Sequence, residues 1–268
     1  MKLSVRDFNL EATLDSAQVF GFEKREGGVY EGVLNHSRVS LRQEGDCLHV
    51  DARLPVRWVE HYFDLTRDMG PLYDVLAEEE RLAKSFQKFR GLRIIRQDSW
   101  EALAGFIISA NNNFKRIQGI WKNLSRSLGK GEYYFPDAGQ IARSSEKQLR
   151  DLGLGYRAPY LYRTSRMAAN NPPMFDKIRS ADYAEAKEQV MAFPGVGEKV
   201  ADCVLLYGFG KHEAFPVDVW IWRIVRKLYF RNRRLTEKKV AEFGRRRWGT
   251  SAGYVQQYLF HGVRMGIL

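Results

Sequence analysis

An amine and a carboxylate, Lys199 and Asp218, stand in otherwise apolar sequence between Phe193 and Trp220. Lys199 comes two residues after a Gly-x-Gly turn, and Asp218 follows nineteen residues later. A lysine amine that is partly neutral can attack a sugar carbon and form a Schiff base. A carboxylate nearby would stabilise the positive charge that develops as a glycosidic bond breaks. The pair therefore indicates covalent chemistry at a sugar.

Both residues also have a plain structural interpretation. A lysine beside such a turn commonly contacts phosphate, and an aspartate at the head of a helix commonly caps it. The loop and helix between Lys199 and Asp218 are long enough to bring the starts of two successive helices side by side. That placement is what the catalytic interpretation requires.

The turn before Lys199 predicts a helix-hairpin-helix over about 182–209. Gly195 and Gly197 permit backbone conformations and close approaches that bulky residues block. The helix that follows begins with free N–H groups, which hold phosphate well. Gly195, Val196 and Gly197 are therefore the predicted phosphate-binding turn of a DNA-binding element. A tight connection between two helices, without any ligand, is the alternative.

The overall charge agrees with a polyanionic partner. The chain carries 43 Lys and Arg against 32 Asp and Glu, a net charge of +11. Residues 191–268 hold fourteen basic and six acidic residues, so most of the excess lies in the last third. Nucleic acid is the favoured partner over an anionic membrane, and a solvated basic face is the alternative.

The composition is that of a folded protein with one large domain or two modest ones. Of the 268 residues, 44% are hydrophobic, and no apolar run is long enough to span a membrane. Cys47 and Cys203 are too few for a disulfide framework, a four-cysteine zinc site or an iron–sulfur cluster. We expect a soluble intracellular protein that is not secreted.

Hydrophobic periodicity predicts an α+β fold with two parts. Residues 29–54 alternate as short antiparallel strands, with Val39 and Leu41 on the buried face, and the period is helical from about Pro55 onward. One long helix is predicted over 71–89 and another over 145–152. The predicted domains are an N-terminal β-sheet domain with one or two helices (1–80) and a helical domain (81–268) that carries the hairpin and the active site.

Three stretches in the helical part together resemble one known family. They are RQDSWEALAGFIISANNNFKRI, LGLGYRA and the pair FPGVGEKVADC and FPVDVWIW. Between about Arg93 and Phe260 the chain resembles the 8-oxoguanine DNA glycosylase/AP lyases of the helix-hairpin-helix superfamily. This resemblance implies an enzyme that excises 8-oxoguanine opposite cytosine through a Schiff base on Lys199, supported by Asp218, and then nicks the strand by β-elimination. It implies no cofactor or metal and a double-stranded DNA partner that contains a damaged base.

The resemblance also assigns the residues that open the duplex. Asn111 would fill the gap left by the extruded base beside Tyr156, while Arg116 and Arg157 would hydrogen-bond the unpaired cytosine. The simpler alternatives are a polar helix break at Asn111, a core aromatic at Tyr156 and phosphate contacts by both arginines.

A second group would hold the extruded base. Cys203 and Phe260 would sandwich it, and Gln256 would read its Watson–Crick edge, although Gln257 is adjacent. Cys203 and Phe260 could also be ordinary core residues. Where relatives present a glycine carbonyl to the extra N–H of the oxidised base, this chain has Ala17. Where they have a phosphate-binding histidine, it has Trp220, which cannot become charged.

Other functions stay open at this point. They are a related glycosylase for another damaged base, a DNA-binding module without catalysis, and a Schiff-base enzyme acting on a small metabolite. The iron–sulfur branch that resembles endonuclease III is disfavoured, because its cysteine cluster is missing. We expect a monomer, at the nucleoid in the cytoplasm of a prokaryote or in the nucleus of a eukaryote.

Overall fold

The computed structural model describes residues 1–131 and 133–268, and within them an antiparallel sheet of five strands opens the chain. The strands are β1 (Lys2–Ser4), β2 (Glu23–Lys24), β3 (Tyr30–Leu34), β4 (Ser37–Glu44) and β5 (Cys47–Asp51), in the order β1-β5-β4-β3-β2. β3, β4 and β5 follow the predicted alternation. β1 and β2 were not predicted, because two or three residues are too short to show a period of two.

The sheet is buried on one face only. In β4 the side chains of Val39 and Leu41 are buried, whereas Arg38 and Arg42 are exposed. The buried face forms a small core with Phe8, Phe63 and other residues from the flanking segments. This arrangement confirms the half-buried antiparallel sheet.

The rest of the described chain is helical. Its α-helices, numbered together with one short helix that precedes β2, are α1 (Leu10–Leu14), α2 (Val56–Tyr62), α3 (Gly70–Ala77), α4 (Ala83–Lys88), α5 (Ser99–Ser109), α6 (Phe114–Leu128), α7 (Ala138–Ala142), α8 (Glu146–Leu149), α9 (Ala158–Asn170), α10 (Met174–Ser180), α11 (Tyr183–Met191), α12 (Glu198–Phe209), α13 (Val219–Tyr229), α14 (Glu237–Trp248) and α15 (Ala252–Arg264). The predicted α+β fold, a small antiparallel sheet followed by a larger helical body, is confirmed.

The predicted single helix over 71–89 is wrong. The chain leaves the helix at Glu79 (φ −94°, ψ 77°), between α3 and α4. The Glu79 carboxylate is buried and accepts hydrogen bonds from Arg247 Nε (2.6 Å), Trp248 Nε1 (2.9 Å) and the Tyr229 hydroxyl (2.9 Å). These contacts to α13 and α14 fix the break, and a local helical pattern cannot reveal them.

The helix predicted over 145–152 is also shorter than expected. α8 ends at Leu149, and the chain continues through one π-helical turn over Arg150–Leu154. Gly153 (φ 100°) and Gly155 (φ 57°) then turn the backbone into α9. The short helices α1 and α10 were not predicted.

The helical body has its own core, centred on α5 and α12. Every residue of α12 from Val200 to Phe209 is buried. Gly208 of α12 lies against Ala102 of α5 so closely that a Cβ atom at Gly208 would be 2.8 Å from the Ala102 Cβ. None of the described helices is long and apolar enough to cross a membrane. The division into domains at residue 80 stays a prediction.

Candidate active site

The hairpin consists of α11, the turn through Gly197, and α12. Gly195 has φ +80°, and a Cβ atom there would lie 2.7 Å from the ring carbon Cγ of Tyr160. Gly197 has ordinary extended geometry (φ −99°, ψ −179°) and open space around it. The turn therefore needs glycine at position 195 for two physical reasons, whereas conformation does not require it at position 197.

Lys199 is the second residue of α12, where the exposed N–H groups and the helix dipole make the surroundings positive. Its amine lies 5.7 Å from the centre of the Phe106 ring. Lys199 is half-buried, with apolar helix directly beneath it. The amine therefore lies between a helix N-terminus and apolar side chains.

Cys203 lies one helical turn beyond Lys199 and is 5% exposed. Burial raises the pKa of its thiol to about 11, although the neighbouring Lys199 lowers it. The thiol therefore stays protonated near neutral pH, and Cys203 presents an uncharged surface beside the amine.

Asp218 is the N-cap of α13. Its Oδ1 atom accepts a hydrogen bond of 2.8 Å from the Ile221 amide, and its backbone is extended. The capping interpretation is thus correct for one of the two carboxylate oxygens. Asp218 is only partly buried, which lets the carboxylate also face the neighbouring cavity.

Lys199 and Asp218 line one cavity of about 430 Å³ between α5, α6, α12, α13 and α15. Ala17, Trp220 and Phe260 line it as well. This volume lies in the range of small-molecule sites. The structure therefore brings together an amine, a carboxylate and three further residues singled out in the sequence.

Ala17 lies in the loop between α1 and β2 and has φ +60°, in the left-handed region. For a residue with a Cβ atom this conformation costs roughly 1–2 kcal/mol. Such strain persists only where the surrounding structure holds the backbone in place. Trp220, at the rim of the cavity, is 52% exposed.

Gln256 and Gln257 differ sharply in their environments. Both polar atoms of the Gln257 side chain have a partner: its Oε1 atom accepts from the Tyr207 hydroxyl, and its Nε2 atom donates to the Ser16 carbonyl (2.8 Å). Gln256 is 4% exposed, and its buried Oε1 atom has no hydrogen-bond partner among the residues that the structure describes. Of the two glutamines, Gln256 is therefore the one whose side-chain oxygen could accept a hydrogen bond from a ligand. Neither Gln256 nor Cys203 lines the cavity itself.

Asn111 and Tyr156 lie together at the surface. Asn111 has φ +48°, and its Nδ2 atom donates to the Tyr156 hydroxyl (3.3 Å), which in turn donates to the Ala110 carbonyl (3.2 Å). Tyr156 is 53% exposed, so it is not a core aromatic. Two exposed side chains lie next to each other, which suits insertion into a base stack.

Arg157 and Arg116 occupy very different positions. Arg157 is 3% exposed; it donates from Nε to the Ala110 carbonyl (2.7 Å) and from a terminal nitrogen to the Asn111 carbonyl (2.8 Å), and it stacks on Tyr156 at 4.3 Å. Arg116, in the first turn of α6, is exposed. Arg157 therefore holds the turn that presents Asn111, and Arg116 has a free approach to solvent.

Comparison with known proteins decides the family. Residues 1–103 match the N-terminal domain of 8-oxoguanine DNA glycosylase, and residues 104–250 match the HhH-GPD superfamily of base excision DNA repair proteins. The chain belongs to the HhH-GPD superfamily. The family resemblance of the three sequence stretches is confirmed.

Individual relatives of this HhH-GPD protein cover nearly its whole length. A probable N-glycosylase/DNA lyase of Methanothermobacter thermautotrophicus is 35% identical, over 100% of this chain and 97% of the relative. The N-glycosylase/DNA lyase OGG1 of Arabidopsis thaliana is 29% identical, over 97% of this chain and 78% of its own. The crystal structure of Clostridium acetobutylicum 8-oxoguanine glycosylase/lyase, bound to double-stranded DNA with cytosine opposite 8-oxoguanine, superposes with a TM-score of 0.92 at 33% identity, covering 98% of this chain and 93% of that one.

Some residues at the site of this HhH-GPD protein were not found from the sequence. Phe106 packs beneath Lys199, and Arg264 stacks on Phe114 at 5.0 Å at the cavity wall. Phe106 falls in one of the family-like stretches, which was a signal for it. The link between Tyr207 and Gln257 joins residues fifty positions apart and has no local signature.

Proposed function

We propose that this protein is a bifunctional DNA glycosylase/AP lyase that excises 8-oxoguanine opposite cytosine and then nicks the strand. The observation that carries the proposal is the shared cavity of Lys199 and Asp218, with Lys199 in the first turn of the second helix of the hairpin. The relatives named N-glycosylase/DNA lyase, and the structural relative bound to 8-oxoguanine DNA, support the same activity.

In the proposed reaction the lone pair of the Lys199 Nζ atom attacks the deoxyribose C1′ atom. The bond from C1′ to the base breaks, and the base leaves with the bonding electrons and takes up a proton. Asp218 stabilises the positive charge on the sugar as this bond breaks. The resulting amine adduct opens to a Schiff base, which acidifies the C2′ proton. Loss of that proton expels the 3′ phosphate, and water then releases Lys199.

The extruded base would enter the cavity against Phe260, and to touch Cys203 and Gln256 it would have to reach past the residues that line the cavity. The orphaned Oε1 atom of Gln256 supports a role in reading the base, because a buried acceptor without a partner costs free energy that an N–H group of the base would recover. The uncharged Cys203 thiol suits contact with a neutral ring. Ala17 would offer its main-chain carbonyl to the additional N–H of the oxidised purine.

The opposite strand would be held by the surface group. Asn111 and Tyr156 would occupy the space of the extruded base. Arg116 would approach the unpaired cytosine directly, since guanidinium donors match its acceptor edge. Arg157 would contribute both through its contact with the Asn111 carbonyl and through its remaining donors. Gly195 and Gly197 would present N–H groups to a phosphate, whereas the predicted contribution of Val196 is corrected, because its N–H already donates to the Phe193 carbonyl (3.1 Å).

The oligomeric state and cellular location are inferred from the proposed substrate. We infer a monomer that acts on double-stranded DNA in the nucleoid of a prokaryote or the nucleus of a eukaryote, without a metal or cofactor. A related glycosylase for a different damaged base is the second candidate. It is favoured by Ala17, which lines the cavity at the position where the family resemblance implies a glycine.

A panel of duplexes tests the proposal. Each carries 8-oxoguanine, an alkylated purine or an abasic site opposite each of the four bases, and released base and borohydride-trapped adduct are scored separately. The proposal expects the fastest release from 8-oxoguanine opposite cytosine. Preferential release of an alkylated purine would support the second candidate, and binding without release or trapping would indicate a DNA-binding module.

A further inference from the structure

The Ala17 loop, defined as Ser16–Gln18, is held by buried hydrogen bonds on both sides of Ala17. On the preceding side, Gln257 Nε2 donates to the Ser16 carbonyl (2.8 Å), and Gln257 Oε1 accepts from the Tyr207 hydroxyl. Gln257 is 1% exposed and Tyr207 is 4% exposed. This pair therefore reaches the loop without any contact with solvent.

On the following side the anchor is Gln97. Its Nε2 atom donates to the Gln18 carbonyl (2.6 Å), and its main-chain N–H donates to the Tyr207 carbonyl (2.9 Å). Both routes to the Ala17 loop thus start from Tyr207, one from its hydroxyl and one from its carbonyl.

The Gln18 side chain completes the support. It is 1% exposed, and its Nε2 atom donates to the carbonyls of Thr13 (2.9 Å) and Arg93 (2.8 Å). Ala17 is the residue between these anchored neighbours, and it is the one in the left-handed conformation. The network is what holds Ala17 in a conformation that it disfavours.

Tyr207 belongs to the same helix as Lys199, eight residues along α12. One side chain of α5, Phe106, contacts both: it lies 5.7 Å from the Lys199 amine and stacks on Tyr207 with ring centres 5.3 Å apart. Because α12 is buried from Val200 to Phe209, the separation between the main chains of Lys199 and Tyr207 is fixed. The loop is therefore positioned relative to the amine through one rigid helix.

We propose that Tyr207 and Gln257 are positioning residues that set the distance between the Ala17 loop and Lys199, and that they are needed for lesion-specific base release. This inference rests on the proposed function. An 8-oxoguanine base must touch the Ala17 loop while its sugar meets Lys199, so both contacts must fit at once. An abasic site carries no base to touch the loop, so its nicking does not depend on the pair.

The test compares Gln257→Leu and Tyr207→Phe with a matched control, Gln43→Leu. Like Gln257, Gln43 is a glutamine whose side chain hydrogen-bonds to main-chain groups. Its Oε1 atom accepts from the Leu10 amide (2.7 Å), and its Nε2 atom donates to the Phe8 carbonyl (2.8 Å). It lies outside the lining of the active-site cavity. Each protein is assayed in single turnover for 8-oxoguanine release opposite cytosine and for nicking of an abasic-site duplex, with thermal melting alongside.

We expect Gln257→Leu to slow base release by about tenfold or more, since displacement of a contact by about 1 Å can have effects of this size, while abasic-site nicking changes by less than about twofold. Tyr207→Phe removes a single hydroxyl and keeps the stacked ring. It should also slow base release more than abasic-site nicking, but by a smaller factor than Gln257→Leu. Gln43→Leu should leave both activities unchanged. Equal loss of both activities, or no loss of base release, in Gln257→Leu and Tyr207→Phe would overturn the inference.

Repeating the Gln257→Leu substitution in an Ala17→Gly protein tests whether Tyr207 and Gln257 act through Ala17. Glycine adopts a left-handed conformation without the penalty that alanine has. Gln257→Leu should therefore slow base release less in an Ala17→Gly protein than in the parent, and an equal loss in both would contradict the inference. A parent protein that nicks abasic sites but releases no 8-oxoguanine would contradict the proposed function instead.

Discussion

The Oδ1 atom of Asp218 accepts a 2.8 Å hydrogen bond from the Ile221 amide, which caps α13 at the rim of the cavity that Lys199 shares. One carboxylate therefore has a structural and a proposed catalytic role. The two roles can be separated, because asparagine caps a helix about as well as aspartate does but carries no charge.

The Asp218→Asn protein should therefore be as stable as the parent and release the base more slowly. We expect base release to slow by about a hundredfold, the size of effect seen when one electrostatic contact to a transition state is removed. Melting temperature and duplex binding should change little. Asp218→Ala should show the same loss of rate and in addition lose about 1 kcal/mol of stability with the cap. If the Asp218→Asn protein released the base as fast as the parent, the only role of Asp218 would be to cap α13.

Replacing Arg157 should destabilise the protein much more than replacing Arg116. Arg157→Ala leaves the Ala110 and Asn111 carbonyls without their buried charged donor, so we expect a loss of about 3 kcal/mol in the free energy of unfolding. Arg116→Ala changes an exposed side chain and should alter stability by less than about 0.5 kcal/mol.

Both arginine variants should lose discrimination for cytosine opposite the lesion, which base-release rates against the four opposite bases would measure. Unchanged discrimination in Arg116→Ala would make Arg116 a phosphate contact. For Arg157, unchanged discrimination would restrict its role to holding the Asn111 turn.

His261 gives this protein a predictable acid sensitivity. It is 2% exposed and packs on Phe89, with ring centres 4.1 Å apart. Burial, followed by the positive charge of Arg264, lowers the pKa of His261 from 6.5 to about 4. The unfolded chain therefore takes up a proton below about pH 6.5 that the folded protein takes up only near pH 4, so stability falls as the pH is lowered through this window.

The His261 contribution should reach about 2 kcal/mol at about pH 4.5. Urea unfolding of the parent and of His261→Leu at about pH 7 and about pH 4.5 would isolate it. The stability difference between the two pH values should be smaller in the variant by that amount. Identical pH dependence in both proteins would mean that His261 is protonated equally in the folded and unfolded states.

Local sequence patterns were sufficient for the parts of this site that are built locally. The Gly-x-Gly turn predicted the hairpin, and the position of Asp218 before an apolar helix predicted its cap. The alternating strand β4 was visible because one face is buried. In each case the physical cause lies within a few residues of the pattern.

The features that were missed have causes far along the chain. The break at Glu79 comes from Arg247 and Trp248, about 170 residues later. The anchor between Ser16 and Gln257 spans 241 residues. A sequence pattern carries no trace of such partners, so the positioning of the Ala17 loop could be recognised only in three dimensions.

Borohydride trapping on an 8-oxoguanine:cytosine duplex tests the central claim, that the Lys199 amine is the nucleophile, most directly. The parent protein should form a covalent adduct with DNA, and Lys199→Gln should form none while still binding the duplex. Lys147→Gln is the matched control, because Lys147 is an exposed lysine paired with Asp151 on the surface, and it should trap like the parent. An adduct that persists in Lys199→Gln would contradict the account and place the nucleophile elsewhere.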